Sequence, residues 1–181
     1  MIAVDAMGGD NAPEVIIKGA LLAAKENVPI KLFGFEPKLI SILDDLDKNW
    51  YKYQVSICHT EEQINMDESP SVAVRQKSDS SIVKAILSVK DGICSGFISA
   101  GNSGAIVVAS IFILGRKTGV ERPAIIGVLP TGKNRILCLD LGANSDCKPE
   151  YLLQFAYMGI SHAQEVFGIQ NPKVALLCNG H

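Results

Sequence analysis

The chain has 181 residues, 48% of them hydrophobic and 20% charged, with a formal net charge of −2. That length suits one packed domain of roughly 100–200 residues. The lack of any block of like charge argues against a nucleic-acid surface, while leaving room for a local basic patch facing an acidic partner.

The opening stretch, "MIAVDAMGGD", has no basic n-region and no long apolar h-region, so it does not read as a signal peptide. Ile2–Asp5 reads as a short buried strand and "AMGGDNAP" as a loop. Pro13 suits the first turn of a helix, where its missing N–H has no intrahelical partner. That helix is expected to run to about Glu26, with Val15, Ile16, Gly19, Leu22 and Ala23 along one face. Lys31–Gly34 is the second predicted strand, Pro37 opens a helix through about Leu46, and Gln54–Cys58 is a third strand. His59 to Ser71 is a polar loop containing Pro70, followed by helices over Ser71–Lys77 and Ser81–Lys90.

Gly96–Ser99 is the next strand, and Asn102–Gly115 a helix that is apolar nearly all round. Its apolar run, Ala105 to Leu114, is about half of the ~20 residues that span a bilayer, so a cytoplasmic protein is expected. Ala124–Leu129 and Arg135–Leu141 are strands either side of "PTGKN", a turn too short for a parallel crossover, so this pair should be antiparallel. Pro149–Phe167 is a helix and Lys173–Cys178 a final strand. The alternation predicts a three-layer α/β/α, doubly wound, mostly parallel sheet over 1–181. Ending just after a strand, the chain reads as the amino-terminal fragment of a longer protein. The five cysteines are scattered without metal spacing and read as buried thiols.

Two glycine turns follow predicted strands. In "ISAGNSGA", Asn102 and Ser103 are both good N-cap types, and Gly101 and Gly104 let a ligand approach the backbone. Exposed amides and the helix dipole would make an anion site there; the alternative is that the glycines only allow tight packing. "AMGGD", with Gly8, Gly9 and Asp10, repeats the arrangement after the first strand and favours the anion site. Asp5 and Asp10 would position a hydroxyl or a water, accept a proton, or simply cap the loop. A third turn, "DLGANSDCKPE", offers Asp140 at a strand end, Asn144, and Lys148 just before the helix-opening Pro149. Arg75 and Lys77 bring positive charge beside Ser80 and Ser81, either to bind an anion or to end a helix in solvent; Arg116, Lys117 and Arg122 form a second basic cluster.

Other motifs fail. "GVLPTGKN" has the Gly-x4-Gly-Lys spacing of a nucleotide P-loop, but Asn134 stands where Ser or Thr is needed and a strand follows where a helix is required. Neither glycine turn fits Gly-x-Gly-x-x-Gly. His162 and Glu165, one helical turn apart, read as a solvated face before a metal site, and no metal or other cofactor is expected.

Together "IAVDAMGGDNAP", "AVRQKSDSS", "ISAGNSGA", "RPAIIGVLPT" and "LDLGANSDCKPEYLLQFAYMG" resemble the bacterial phosphate acyltransferases of phospholipid synthesis, in order and across essentially the whole chain. Ser103 stands where Thr is expected, keeping a hydroxyl cap, and Ser145 and Cys147 replace small apolar residues. The resemblance implies a fold akin to phosphotransacetylases and isopropylmalate dehydrogenases, usually as a homodimer. It implies transfer of a long-chain acyl group from acyl carrier protein to inorganic phosphate, with the carboxyl half missing. That half would carry more of the cleft, and a peripheral contact with the inner face of the cell membrane. Site residues implied are Asp5, Asn144 and Lys148 for catalysis. Gly8, Gly9, Asp10, Arg75, Ser99, Gly101, Asn102, Ser103 and Gly104 would bind phosphate and thioester. No general acid is identifiable. The alternatives are a phosphate acetyl- or butyryltransferase, a hydroxyacid dehydrogenase relative, or a non-catalytic phosphate-binding module on the same fold.

Overall fold

The structure, a computed structural model, describes residues 1–132 and 135–178. It divides into two compact units, Met1–Gly115 and Arg116–His181.

Unit 1 is built on four parallel strands, β1 (Ile2–Asp5), β2 (Ile30–Gly34), β3 (Val55–His59) and β4 (Gly96–Ile98), in the order β3-β2-β1-β4. Ile2 is level with both Ile30 and Gly96, and Ile30 with Val55, so all four carboxyl ends lie along one edge. Parallel neighbours need crossovers, which helices supply. α1 (Glu14–Lys25) joins β1 to β2, α2 (Glu36–Leu46) joins β2 to β3, and α3 (Pro70–Gln76) and α4 (Ser81–Lys90) lead to β4. α5 (Ser103–Ile113) follows β4.

Successive strand residues face opposite sides of the sheet. Val4 and Leu32 therefore join Ile17, Leu21, Leu39 and Leu43 of α1 and α2 in one core, whereas Ala3 and Phe33 meet Ala85 of α4 on the other side. A further cluster packs α3, α4 and α5 through Ala73, Ile82, Ile86, Ala105 and Ala109. The result is the three-layer α/β/α arrangement expected from the alternation of elements.

Several details differ from the sequence reading. The buried stripe of α1 is Ile17, Ala20, Leu21 and Ala24, while Val15 and Leu22 are exposed. Both stripes are apolar at helical spacing, and only the packing of α1 against β2 and α2 selects between them. Pro13 is the N-cap of α1 rather than its first helical residue. α5 is apolar nearly all round, yet only Ala105 and Ala109 are fully buried. Trp50–Lys52 forms a short 3-10 turn that the sequence reading did not anticipate. All five cysteines are free thiols, but only Cys94 is buried; Cys58, Cys138 and Cys147 are half-buried and Cys178 is exposed.

Unit 2 holds an antiparallel pair, β5 (Gly127–Pro130) and β6 (Arg135–Cys138), and the helix α6 (Pro149–Phe167). The antiparallel pairing is as expected, although Lys133 and Asn134 of the turn lie outside the described residues. The strands are shorter than predicted for a local reason. Beyond Cys138 the Asp140 carboxylate takes the Ile125 amide at 2.7 Å, a place the ladder would give to a carbonyl. Lys173–Cys178, predicted as a strand, has no strand assignment. Strand geometry needs a neighbouring backbone, and no ladder among the described residues includes this segment; Val174, Leu176 and Leu177 are exposed. Among the described residues no helix is long and apolar enough to cross a membrane.

Leu32 is fully buried at the centre of the first core. Leu32→Ala should cost about 2–5 kcal/mol in urea unfolding of unit 1, whereas Leu22→Ala, on the exposed stripe of α1, should cost about 0.5 kcal/mol or less.

Candidate functional site

In an open parallel sheet, ligands collect at the carboxyl edge where the strand order reverses, because crossovers leave that edge on opposite faces and open a crevice. Here the chain winds from β1 outward through β2 to β3, then returns to place β4 on the other side of β1. The reversal falls between β1 and β4, and the two glycine turns follow these two strands. "AMGGD" and "AGNSG" are therefore neighbours.

Their contact is close. A Cβ on Gly8 would run into the Asp5 carboxylate and stand 2.8 Å from the Gly101 nitrogen and 2.9 Å from its Cα. Only glycine allows the two backbones to meet this way. Gly9 has φ +109°, a conformation that side-chain-bearing residues rarely adopt, and lies against the Ala100 carbonyl.

Asp5 lies at the base of this junction and is wholly buried. The Ser99 hydroxyl donates to its Oδ2 at 2.7 Å, and the Met7 amide to its Oδ1 at 3.1 Å. The Gly101 amide donates to Ser99 Oγ at 2.9 Å. The chain Gly101–Ser99–Asp5 thus ties the second turn to the first strand. It also commits the Gly101 amide, so that hydrogen does not face a ligand. Asp10 and Ser103 are exposed at the same turns, and Gly104 is half-buried behind them.

Asn102 is the N-cap of α5: its Oδ1 accepts from the Ala105 amide at 3.0 Å. Ser103 is the first helical residue, so the cap is the Asn102 amide oxygen and not a Ser103 hydroxyl. The Asn102 side-chain nitrogen donates to the carbonyls of Asn65, Met66 and Glu68. Lys77 closes the same loop, donating to the Gln63 carbonyl at 2.8 Å and pairing with Glu68 at 2.6 Å. The donated Asn65 amide, and then Lys77, hold the Glu68 carboxyl below its ordinary range. The sequence reading missed this clasp. Asn102 and the loop are more than thirty positions apart, and nothing in "NMDES" marks them as partners. Pro70, at the start of α3, lies against Gly104, and Arg75, nearer its end, stands over the Phe112 ring. Phe112 is in the last turn of α5, so Arg75 is not brought to the glycine turns.

The third turn belongs to unit 2. Asp140 Oδ2 accepts from the Asn144 amide at 2.7 Å and from its side-chain nitrogen at 3.0 Å. The same side-chain nitrogen donates to the Pro123 carbonyl at 2.9 Å. Burial pushes the Asp140 carboxyl up. The donors from Ile125, Asn144 and Ala143 outweigh it and hold the group below the ordinary carboxylate range. Lys148 is the exposed N-cap of α6, with its Nζ 5.9 Å from the centre of the Tyr151 ring. His59 Nδ1 accepts from the Glu36 amide, and His162 packs edge-on against Phe167. Among the described residues no three metal-ligating side chains come together.

The chain matches, over residues 1–181, the family model described as fatty acid synthesis protein. It is 51% identical to a phosphate acyltransferase of Pelotomaculum thermopropionicum, over 99% of this chain and 52% of that protein. Proteins of the same description from Anaeromyxobacter sp. and Leptospira biflexa are 48% and 47% identical, each over 99% of this chain and 50% and 53% of theirs. The chain spans about half the length of the curated relatives it matches.

Ser99→Ala leaves a buried carboxylate without its hydroxyl donor and should cost unit 1 about 1–3 kcal/mol in urea unfolding. Gly8→Ala should cost at least as much, since its Cβ has only backbone and a buried carboxylate to displace. For Asp140 the sign follows from its lowered value. Its stabilisation is complete above the unfolded-state value of about 3.9 and is lost as pH falls through the lower folded value. Asn144→Ala removes a donor, so the carboxyl resonance of Asp140 should titrate at higher pH and acid unfolding of unit 2 should begin earlier.

Proposed function

Because the chain belongs to the fatty acid synthesis protein family, we propose that it forms the phosphate-binding part of an enzyme that transfers an acyl group from a thioester to inorganic phosphate. The donor is proposed to be long-chain acyl carrier protein. The observation that carries this reading is the junction of two glycine turns at the strand-order reversal. Amides at the start of α5, at Ser103 and Gly104, have no intrahelical carbonyl to bind and meet the positive end of the helix dipole. Gly9 lies against the Ala100 carbonyl and so brings the first turn beside the second, and Asp10 is proposed to face the same crevice. A tetrahedral oxyanion fits such a surface.

The chemistry asks little of side-chain nucleophiles. A phosphate oxygen attacks the thioester carbon, the carbonyl π pair moves onto oxygen, and the tetrahedral intermediate collapses with cleavage of the C–S bond. The sulfur leaves as thiolate and takes up a proton, giving carrier thiol and acyl phosphate. The protein must align phosphate with the thioester and donate hydrogen bonds where negative charge develops. Asp5 is proposed as a positioning residue: both its oxygens are occupied, and through Ser99 it fixes the second turn. Asn144 is occupied by Asp140 and Pro123, which leaves Lys148 as the free donor of the third turn. A homodimer and peripheral membrane contact remain part of the proposal for the protein at the length of its relatives.

The test is phosphate-dependent release of carrier thiol from long-chain acyl carrier protein, by this chain and by the protein continued to the length of its relatives. The longer protein should turn over and the 181-residue chain should not. Gly104→Val, which crowds the helix start, should lower turnover by about 10²-fold or more. Preference for acetyl thioesters would favour a short-chain transferase instead. Turnover independent of phosphate, or untouched by Gly104→Val, would refute the proposal.

A further inference from the structure

Lys77 does something that neither sequence reading of the "AVRQKSDSS" stretch covers. Its ammonium is held by two oxygens of the loop before α3: Glu68 Oε1 at 2.6 Å and the Gln63 carbonyl at 2.8 Å. It is therefore neither a solvated helix end nor a cation free to take an anion. Exposed ion pairs contribute little because solvent screens them. Here the side chains are 27% and 26% exposed, against 48% and 62% in the Lys38–Glu14 pair. The backbone of Lys77 is anchored as well. Its amide donates to the Ala73 carbonyl of α3 at 2.8 Å, and Ala73 is buried in the cluster that joins α3, α4 and α5.

The loop held in this way meets Asn102. Glu68 Oε1 also accepts the Asn65 amide at 2.7 Å, which closes residues 65–68 into a turn. The carbonyls of Asn65, Met66 and Glu68 converge on the Asn102 side-chain nitrogen at 3.1, 3.3 and 3.1 Å. Three acceptors around that nitrogen leave Oδ1 on the helix side, where it takes the Ala105 amide at 3.0 Å. A side chain turned the other way would set Oδ1 against the carbonyls and the nitrogen against an N–H donor. At the loop's exit, a Cβ on Gly104 would stand 2.6 Å from Pro70 Cγ, so loop and helix start also touch. The loop gathers a carboxylate and several carbonyl oxygens, and the Lys77 ammonium balances them. Without it these oxygens repel one another and the turn that orients Asn102 loosens. We infer that Lys77 is a positioning residue: by clasping the loop 63–68 it orients Asn102, and through Asn102 it fixes the first turn of α5. The proposed function seats phosphate on that turn, so the kinetic consequence rests on that reading, while the structural one does not.

The experiment compares amide hydrogen exchange by NMR in the labelled 181-residue chain and in Lys77→Met, which keeps the aliphatic stem and removes the ammonium. Exchange at Ala105 should accelerate about tenfold or more, while Leu32 in β2 and Ala109 further along α5 keep parent rates. The Asn102 side-chain amide signals should move toward those of solvated asparagine. Lys77→Arg, which still donates to a carboxylate and a carbonyl, should restore most of the protection. Adding Glu68→Gln to Lys77→Met should bring no further factor, because both changes act on one pair. In the protein continued to the length of its relatives, Lys77→Met should raise the KM for phosphate about fivefold or more with kcat within about twofold, since a looser seat weakens ground-state and transition-state binding alike. A merely destabilised fold would lower kcat and leave KM unchanged. Parent-like exchange at Ala105, acceleration shared equally by Leu32, multiplied effects in the double variant, or loss of kcat at constant KM would overturn the role. Parent turnover that ignores phosphate would sink the proposed function instead, and the exchange result alone then decides this inference.

Discussion

The hydrogen bond from Ser99 to the buried Asp5 carboxylate holds the candidate site together. It joins the ends of two strands that are neighbours in space and 94 positions apart in sequence. A carboxylate with no solvent exposure is costly unless donors surround it. Ser99 and the Met7 amide are those donors, and Gly101 extends the network to the second turn. The glycines at 8 and 101 follow from the same constraint. The backbones meet over the carboxylate, leaving no room for a Cβ at Gly8 and only a tight fit for one at Gly101.

This arrangement separates two tasks that residue type alone runs together. Asp5 lies beneath the junction of the two glycine turns, where the proposed function places an anion and a free carboxylate would repel it. Burial beneath the turns, with both oxygens engaged, makes it a group that sets the shape of the two turns. Asn102 does comparable work on the other flank: one side chain caps α5 and holds three carbonyls of the preceding loop. The amides without an intrahelical carbonyl are then those of the first helical turn, held in place from both sides.

The units differ in how they are stabilised. Unit 1 has cores on both faces of its sheet, with Leu32, Phe33, Leu39 and Leu43 essentially excluded from water. In unit 2 only Phe155 and Ala163 are buried to that degree among the hydrophobic residues described. Its order rests more on polar contacts around Asp140, Asn144 and Pro123. Such contacts depend on protonation in a way that apolar packing does not, so unit 2 should respond to acid through this carboxylate.

The sequence by itself determined the order of elements, the parallel character of the main sheet, the antiparallel β5–β6 pair and the two glycine turns. Each is a local signal: alternation of apolar runs, the length of a connection, glycine beside a cap residue. It also pointed to Asp5, Ser99 and Asn144 as residues of interest, but not to their partners. Tertiary structure alone decided that the apolar stripe of α1 at Ile17, Ala20, Leu21 and Ala24 is the buried one, because two apolar stripes compete and only the neighbouring surface chooses. It decided that Arg75 meets Phe112 rather than the glycine turns, and that Lys173–Cys178 forms no strand. It also decided that Lys77 closes on Glu68 and the Gln63 carbonyl. Partners distant in sequence are set by how strands and helices stack, and a single chain of residue types carries no direct record of that stacking.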